Sequence, residues 1–148
     1  MSPAKSASHS VSLQLQNQTA EIARMSHWLK SILDDWYISP TLQFRVDLAA
    51  NEAVTNILSY AFPNGGEHRI LLNLSLENDR LKLSIEDDGI DFNPLEMPPH
   101  KQPKSIAEAE IGGLGIHLIR HYMDECDYQR HNGKNHLILS MYVSAATK

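Results

Sequence analysis

Apolar and polar residues alternate near the start of this chain. Val11, Leu13 and Leu15 are separated by single polar residues, the two-residue period of a half-buried strand. Over residues 19–36 the spacing changes. Ile22, Met25, Leu29, Ile32, Leu33 and Trp36 recur every three or four residues, which predicts an amphipathic helix. A second helix then starts: Ser39 suits its N-cap, and Pro40 suits the first helical position, where no backbone N–H is needed. Leu42, Val46, Ala49, Ala53, Ile57 and Tyr60 carry it to Ala61, and Pro63-Asn64-Gly65-Gly66 ends it. Two alternating strands follow, over residues 70–76 and 81–85, joined by a turn at Asn78-Asp79. Residues 91–111 contain four prolines and little apolar periodicity, the mark of a functional lid or a disordered stretch. Gly112-Gly113-Leu114-Gly115 opens a third helix with Ile116, Ile119, Tyr122 and Met123 on one side. Residues 126–131 and 135–143 form a hairpin around Asn132-Gly133, a strong short-turn signal. The order β-α-α-β-β-lid-α-β-β predicts an α/β (α+β) two-layer sandwich, a mixed, mostly antiparallel sheet with helices on one face.

Composition narrows the class. A length of 148 residues suits one domain with a real core, and 42% apolar with 21% charged residues is ordinary for a globular chain. Residues 1–10 are polar and read as a flexible tail, with residues 11–148 forming the single domain. A net charge of −5 argues against direct binding to nucleic acid through a basic face. The lone cysteine, Cys126, cannot form an internal disulfide, which points to a reducing cytoplasm. No apolar run approaches the roughly 18 residues of a membrane helix, and no hydrophobic segment of a secretory signal opens the chain.

Three segments carry candidate chemistry. Glu52 and Asn56 stand four apart on the second helix and project from one face. Their oxygens are hard ligands of the kind Mg²⁺ prefers, although such a pair read alone also fits a solvated polar face. Asp87 shares the parity of Leu81, Leu83 and Ile85, which places it on the apolar face of its strand. A carboxylate there needs a partner or a solvent-filled pocket, and the amino group of adenine would be a fitting donor. In the plainer reading the strand ends by residue 86 and Asp87 joins the Asp88-Gly89 turn. Gly89 allows close backbone approach either way. Gly113, Leu114 and Gly115 put backbone N–H groups at a helix start, a natural phosphate cradle or a flexible loop. No Walker lysine and serine follow, and no buried strand precedes them as a Rossmann fingerprint requires. His117 and His121, with Asp124 and Cys126 nearby, lack the glutamate of a zinc-hydrolase helix and read as surface or packing residues. Cys126 reads as a buried structural thiol.

In order and spacing these segments resemble the motifs of the GHKL ATPase superfamily, the Bergerat ATP-binding fold. Residues 49–56, Ala-Ala-Asn-Glu-Ala-Val-Thr-Asn, resemble its N-box; residues 87–94 resemble its first glycine box; Gly112-Gly113-Leu114-Gly115-Ile116 resembles the second. Within the superfamily the chain is most similar to the bacterial anti-sigma-factor serine/threonine kinases, and the likeness runs over residues 11–143. The resemblance implies an ATP-grasping sandwich with Mg²⁺ and a lid near residues 91–111. It implies Glu52 as the general base, Asn56 as the magnesium and ATP ligand, Asp87 and Gly89 at adenine, and Gly113, Leu114 and Gly115 at the phosphates. It also implies a cytoplasmic kinase that phosphorylates a STAS-type anti-anti-sigma protein, with a sigma factor as the alternative partner. Members of that branch often dimerise, so a homodimer is among the expected states. The chain departs from the pattern at Asp91, where the wider superfamily has glycine, and at Asn93, where the branch commonly has aspartate. The lid carries Lys101 and Lys104 but no arginine, which makes Lys104 the candidate phosphate contact. A second reading is a non-catalytic ATP-dependent switch that binds partners without transferring phosphate; the presence of Glu52 favours the enzyme.

Overall fold

The computed structural model describes residues 9–96 and 115–143, with the backbone alone for residues 115–118. Five strands form one sheet in the order β1-β2-β3-β5-β4, and every neighbouring pair is antiparallel. The strands are β1 (His9–Gln16), β2 (Arg69–Glu77), β3 (Arg80–Asp87), β4 (Glu125–His131) and β5 (Lys134–Tyr142). Three helices accompany them: α1 (Glu21–Asp35), α2 (Pro40–Tyr60) and α3 (Gly115–Tyr122). Two tight turns set the hairpin registers. Asn78 and Asp79 take φ of 54° and 63°, and Asn132 and Gly133 take 54° and 74°. Positive φ at both central residues is the twist-matched geometry that joins adjacent strands.

The alternation seen in the sequence sorts the sheet into two faces. Leu15, Ile70, Leu72, Leu74, Leu81, Leu83, Ile85, Leu137, Leu139 and Met141 are all buried on one of them. Against that face lie Met25, Leu29 and Leu33 of α1, Val46, Ala53 and Ile57 of α2, and Ile119 of α3. Ala49, Ala50 and Ala53 are fully buried, so α2 packs closely through a stripe of small side chains. Ser39 caps α2 as its chemistry predicts, its Oγ accepting from the N–H of Leu42 at 3.3 Å.

Two boundaries differ from the sequence reading. Strand β1 begins at His9, inside the segment expected to be tail, because His9 pairs with Leu76 and its ring stacks on Trp36 at 5.1 Å. Residues 91–96, expected to begin the lid, are anchored. Leu95 is buried, Phe92 packs on the core, and Asn93 Oδ1 accepts from the N–H of Leu95 at 2.8 Å. The remainder of the expected lid, with Lys101 and Lys104, lies outside the described residues, as do Gly112, Gly113 and Leu114.

Candidate functional site

Helix α2 carries the first part of the site. Its orientation is fixed by a polar knot on the side facing α1. Ser26 Oγ donates to Asp47 Oδ1 at 2.7 Å, and Asn51 Nδ2 donates to Ser26 Oγ at 3.0 Å and to the Asp47 carbonyl at 2.7 Å. Asn51 is thereby committed to holding two helices together. Its neighbour Glu52 is not. Glu52 is half-buried, and its Oε2 is buried with no hydrogen-bond partner among the described residues. Burial pushes its carboxyl above the ordinary value. Asn56, one turn on, is 5% exposed. Tyr60 extends the same face by another turn, and its ring lies 5.4 Å from that of Phe92. The last turn of the helix therefore meets the loop that follows β3.

That loop carries the second part. Strand β3 runs through Asp87, and the Asp87 side chain points to the core, 2% exposed. It also serves the turn, since its Oδ1 accepts from the N–H of Gly89 at 2.8 Å. The plainer reading, in which the strand ends by residue 86, is corrected here: Asp87 is a paired strand residue on the apolar face, and its side chain also accepts from the following turn. Its Oδ2 is buried and unpartnered among the described residues. Burial raises the Asp87 carboxyl above its usual range, opposed by the bonds from Asn135 and Gly89, with Asp88 raising it further and Arg130 lowering it. At Gly89 an added Cβ would stand 2.4 Å from the Ala61 carbonyl oxygen. The same carbonyl, at the C-terminus of α2, accepts from the N–H of Ile90 at 2.9 Å. The glycine therefore has a packing reason inside the protein: the loop crosses the end of α2 at backbone contact and satisfies one of its free carbonyls.

A third group was not singled out by the sequence. Asn135 on β5 stands directly opposite Asp87 in the strand register and is 2% exposed. Its Nδ2 donates to Asp87 Oδ1 at 2.9 Å and to the Ile90 carbonyl at 2.7 Å. Its Oδ1 accepts from Arg130 Nη1 at 3.0 Å and from the N–H of Phe92 at 3.2 Å, and the Tyr128 hydroxyl lies within bonding distance. Arg130 Nη1 also donates to the Gly89 carbonyl at 2.8 Å. Tyr128 reaches Asp91 Oδ1 at 2.6 Å, and burial, with Asp91 beside it, pushes its hydroxyl up to about 12. One signal could have found Asn135: it shares the parity of Leu137, Leu139 and Met141, a polar residue in an apolar row, as Asp87 is in its own strand.

Of the residues predicted for the site, Asp87 and Gly89 stand at the end of β3, where Gly89 meets the C-terminal end of α2, the helix that carries Glu52 and Asn56. Gly115 is the first residue of α3; Gly113, Leu114 and Lys104 lie outside the described residues. Among the described residues no group of histidine, cysteine and carboxylate side chains could hold a metal on its own. Cys126 is half-buried, and burial raises its thiol, as suits a structural role. No helix of the described residues is long and apolar enough to cross a membrane.

The chemistry of these groups is that of a nucleotide site. A buried carboxylate oxygen with no partner suits an N–H of a purine, because an unsatisfied buried acceptor is costly until it gains a donor. A carboxylate and an amide one helical turn apart suit a hard cation that keeps phosphates and waters as its other ligands. Fold and site together define an ATP-binding α+β sandwich of the GHKL kind. The chain belongs to the histidine kinase-like ATPase domain family, which it matches over residues 15–141. It is 36% identical over 118 residues to the serine/threonine-protein kinase BtrW of Bordetella bronchiseptica, covering 78% of this chain and 82% of that protein. It is 26% identical over 101 residues to the serine-protein kinase RsbW of Listeria monocytogenes, covering 66% of this chain and 64% of that one. The anti-sigma F factor of Oceanobacillus iheyensis is 24% identical over 92 residues, 61% of this chain and 63% of that protein. A solved structure of the RsbU and RsbW domains of a Mycobacterium tuberculosis protein aligns with a TM-score of 0.60 at 14% identity. That likeness covers 91% of this chain and 32% of that one, and it shows the fold.

Proposed function

We propose that this protein is an ATP-dependent serine/threonine protein kinase of a partner-switching system, acting on a STAS-type anti-anti-sigma protein and holding a sigma factor as its other partner. One structural observation carries the reading. Two buried carboxylate oxygens, Glu52 Oε2 and Asp87 Oδ2, have no partner among the described residues, in a chain 36% identical to a named serine/threonine-protein kinase. Asp87 accepts from the adenine amino group. Asn56 holds Mg²⁺, which when bound neutralises charge on the phosphates. Gly113, Leu114 and Gly115 cradle the phosphates, and Lys104 in a lid beyond Glu96 contacts them. Glu52 takes the proton of the partner's serine hydroxyl while the Oγ–P bond forms and the bond from the γ-phosphorus to the bridging oxygen breaks, leaving ADP. Its raised carboxyl pKa suits that work, since a base is most effective when its pKa lies near the working pH. The kinase acts in the cytoplasm, as a homodimer.

The test is transfer of label from γ-labelled ATP to STAS proteins of the source cell, with capture of those proteins compared in ATP and in ADP. Phosphoserine on one STAS protein is the expected result. Nucleotide-dependent capture without transfer would make the protein a binding switch and overturn the kinase reading.

A further inference from the structure

The adenine end of the site is organised by side chains that do not belong to any of its motifs. Five polar contacts surround the Asn135 amide, and four of them agree on one orientation. Its nitrogen faces two acceptors, Asp87 Oδ1 and the Ile90 carbonyl; its oxygen faces two N–H donors, Arg130 Nη1 and the N–H of Phe92, and the Tyr128 hydroxyl, which can donate or accept. Turned by half a rotation, the amide would set oxygen against carboxylate and nitrogen against guanidinium. Arg130 is a permanent cation with donors only, so it forbids that rotation whatever the pH. It sits opposite Asn135 across the β4–β5 hairpin, and the same Nη1 holds the Gly89 carbonyl at 2.8 Å.

The consequence reaches Asp87. Its Oδ1 is saturated by two N–H groups, from Gly89 and Asn135, and both bonds favour the ionised carboxylate. Oδ2 is the oxygen left over, buried and unpartnered among the described residues. Asp88 works in the opposite direction, as does burial itself, and Arg130 is the cation that counters them. An ionised Asp87 presents only an acceptor, which matches an amino group on the purine. A protonated Asp87 would present a donor, which matches a ring carbonyl at the same place.

We infer that Arg130 is a specificity-determining positioning residue: through Asn135 it holds Asp87 as an acceptor with one free oxygen, and so selects a 6-amino purine over a 6-oxo purine. This rests on the reading that Asp87 meets the base. The discriminating probe is ITP, which carries a carbonyl where ATP has its amino group. Affinities for ATP and ITP would be measured by calorimetry for the wild type, Arg130→Met, Arg130→Gln and Arg130→Lys, beside the melting temperature of each. The Arg130 side chain is exposed, so these variants should fold.

Wild type should prefer ATP. Arg130→Met should weaken ATP binding by about tenfold or more, and the ATP-to-ITP ratio should shrink by a similar factor. Arg130→Gln keeps a donor without the charge and should fall between, and Arg130→Lys should restore most of the ratio. If Arg130→Met and Arg130→Gln weaken both nucleotides equally, or leave both unchanged, Arg130 has no part in selection and the inference is overturned. A wild type that binds ATP and ITP alike would instead remove the role of Asp87 on which the inference stands.

Discussion

The two ends of this site are built differently. At the β3–β5 end, Asp87, Gly89, Ile90 and Phe92 are each held by a named bond to Asn135 or Arg130, and Asp87 Oδ2 has no partner among the described residues. On α2, the polar knot of Ser26, Asp47 and Asn51 fixes the helix itself, while the carboxylate beside it, Glu52, has a buried oxygen that no described residue satisfies. One end is tied together by hydrogen bonds and, on the proposed reading, presents a fixed pattern to a planar base. The other sets a carboxylate on a fixed helix and leaves one of its oxygens without a partner among the described residues. On the proposed reading, recognition of the base and transfer of phosphate fall to different ends of the site. On that reading the base end can be organised in advance because it has one shape to read, whereas the phosphate end must serve groups that arrive and leave.

The sharpest way to test that separation is to remove function from one end only. Glu52→Gln preserves shape and removes the proposed base, so transfer of phosphate to the partner should fall by about 10²–10⁴. ATP affinity should change little, because the base reading comes from the other end. Single-turnover transfer and titration calorimetry on the same preparation would check it; a parallel loss of affinity would merge the two ends. The converse is Asp87→Ala. It should weaken ATP binding by roughly ten- to a hundredfold, the worth of a hydrogen bond to a charged group, and should abolish preference for ATP over GTP. An unchanged ATP-to-GTP ratio would break the comparison from the base side. Asn56→Ala, by contrast, should weaken only the magnesium-dependent part of binding.

The join between the ends is open to the same approach. Gly89→Ala drives a methyl group into the Ala61 carbonyl, 2.4 Å away, and neither partner is the tip of a flexible side chain. Overpacking of this kind costs about 1–3 kcal/mol. The melting temperature should fall, and ATP affinity with it, since the loop carrying Ile90 would lift off the helix end. Retained stability in Gly89→Ala would show that the loop can move without loosening α2.

Much of this was legible in the sequence, for a physical reason: local periodicity reports which face a residue occupies. The alternation of Leu81, Leu83, Ile85 and Asp87 put a carboxylate on the core side, and the structure places it there. The Glu52–Asn56 spacing defined one helix face, and Asn132-Gly133 defined a hairpin turn that takes positive φ at both residues. The bonds around Asp87 and Asn135 were not legible, because they join partners far apart in the chain. Asn135 meets Asp87 only once β5 is known to pair with β3, and Arg130 meets Gly89 only through that sheet order. Gly89 was read for what it could admit, while its contact with Ala61 depends on where α2 ends against β3. The strand pairing of His9 went unread for the same reason, since its partner Leu76 lies across the sheet.

The smallest effect follows from the unpartnered carboxylate on α2, and its sign distinguishes a functional group from a structural one. Burial raises the Glu52 carboxyl in the folded protein above its ordinary value of 4.5. A raised folded pKa means that the native state binds the proton more tightly than the unfolded chain does. The contribution to stability is therefore fully present below pH 4.5 and is lost as pH rises through the folded value, so at neutral pH the ionised Glu52 weakens the fold. Glutamine has no charge to desolvate. Glu52→Gln should therefore be more stable than wild type at pH 7.5 without nucleotide, by less than about 1 kcal/mol because solvent screens a half-buried group. That corresponds to a rise in melting temperature of at most about 4 °C. The gain should shrink as the pH is lowered towards 4.5, where the wild-type side chain becomes neutral as well. Scanning calorimetry of both proteins across that range measures the difference directly. A variant less stable than wild type at pH 7.5, or a difference that does not change with pH, would mean that Glu52 supports the fold through bonds of its own, and its place as an uncommitted base would be lost.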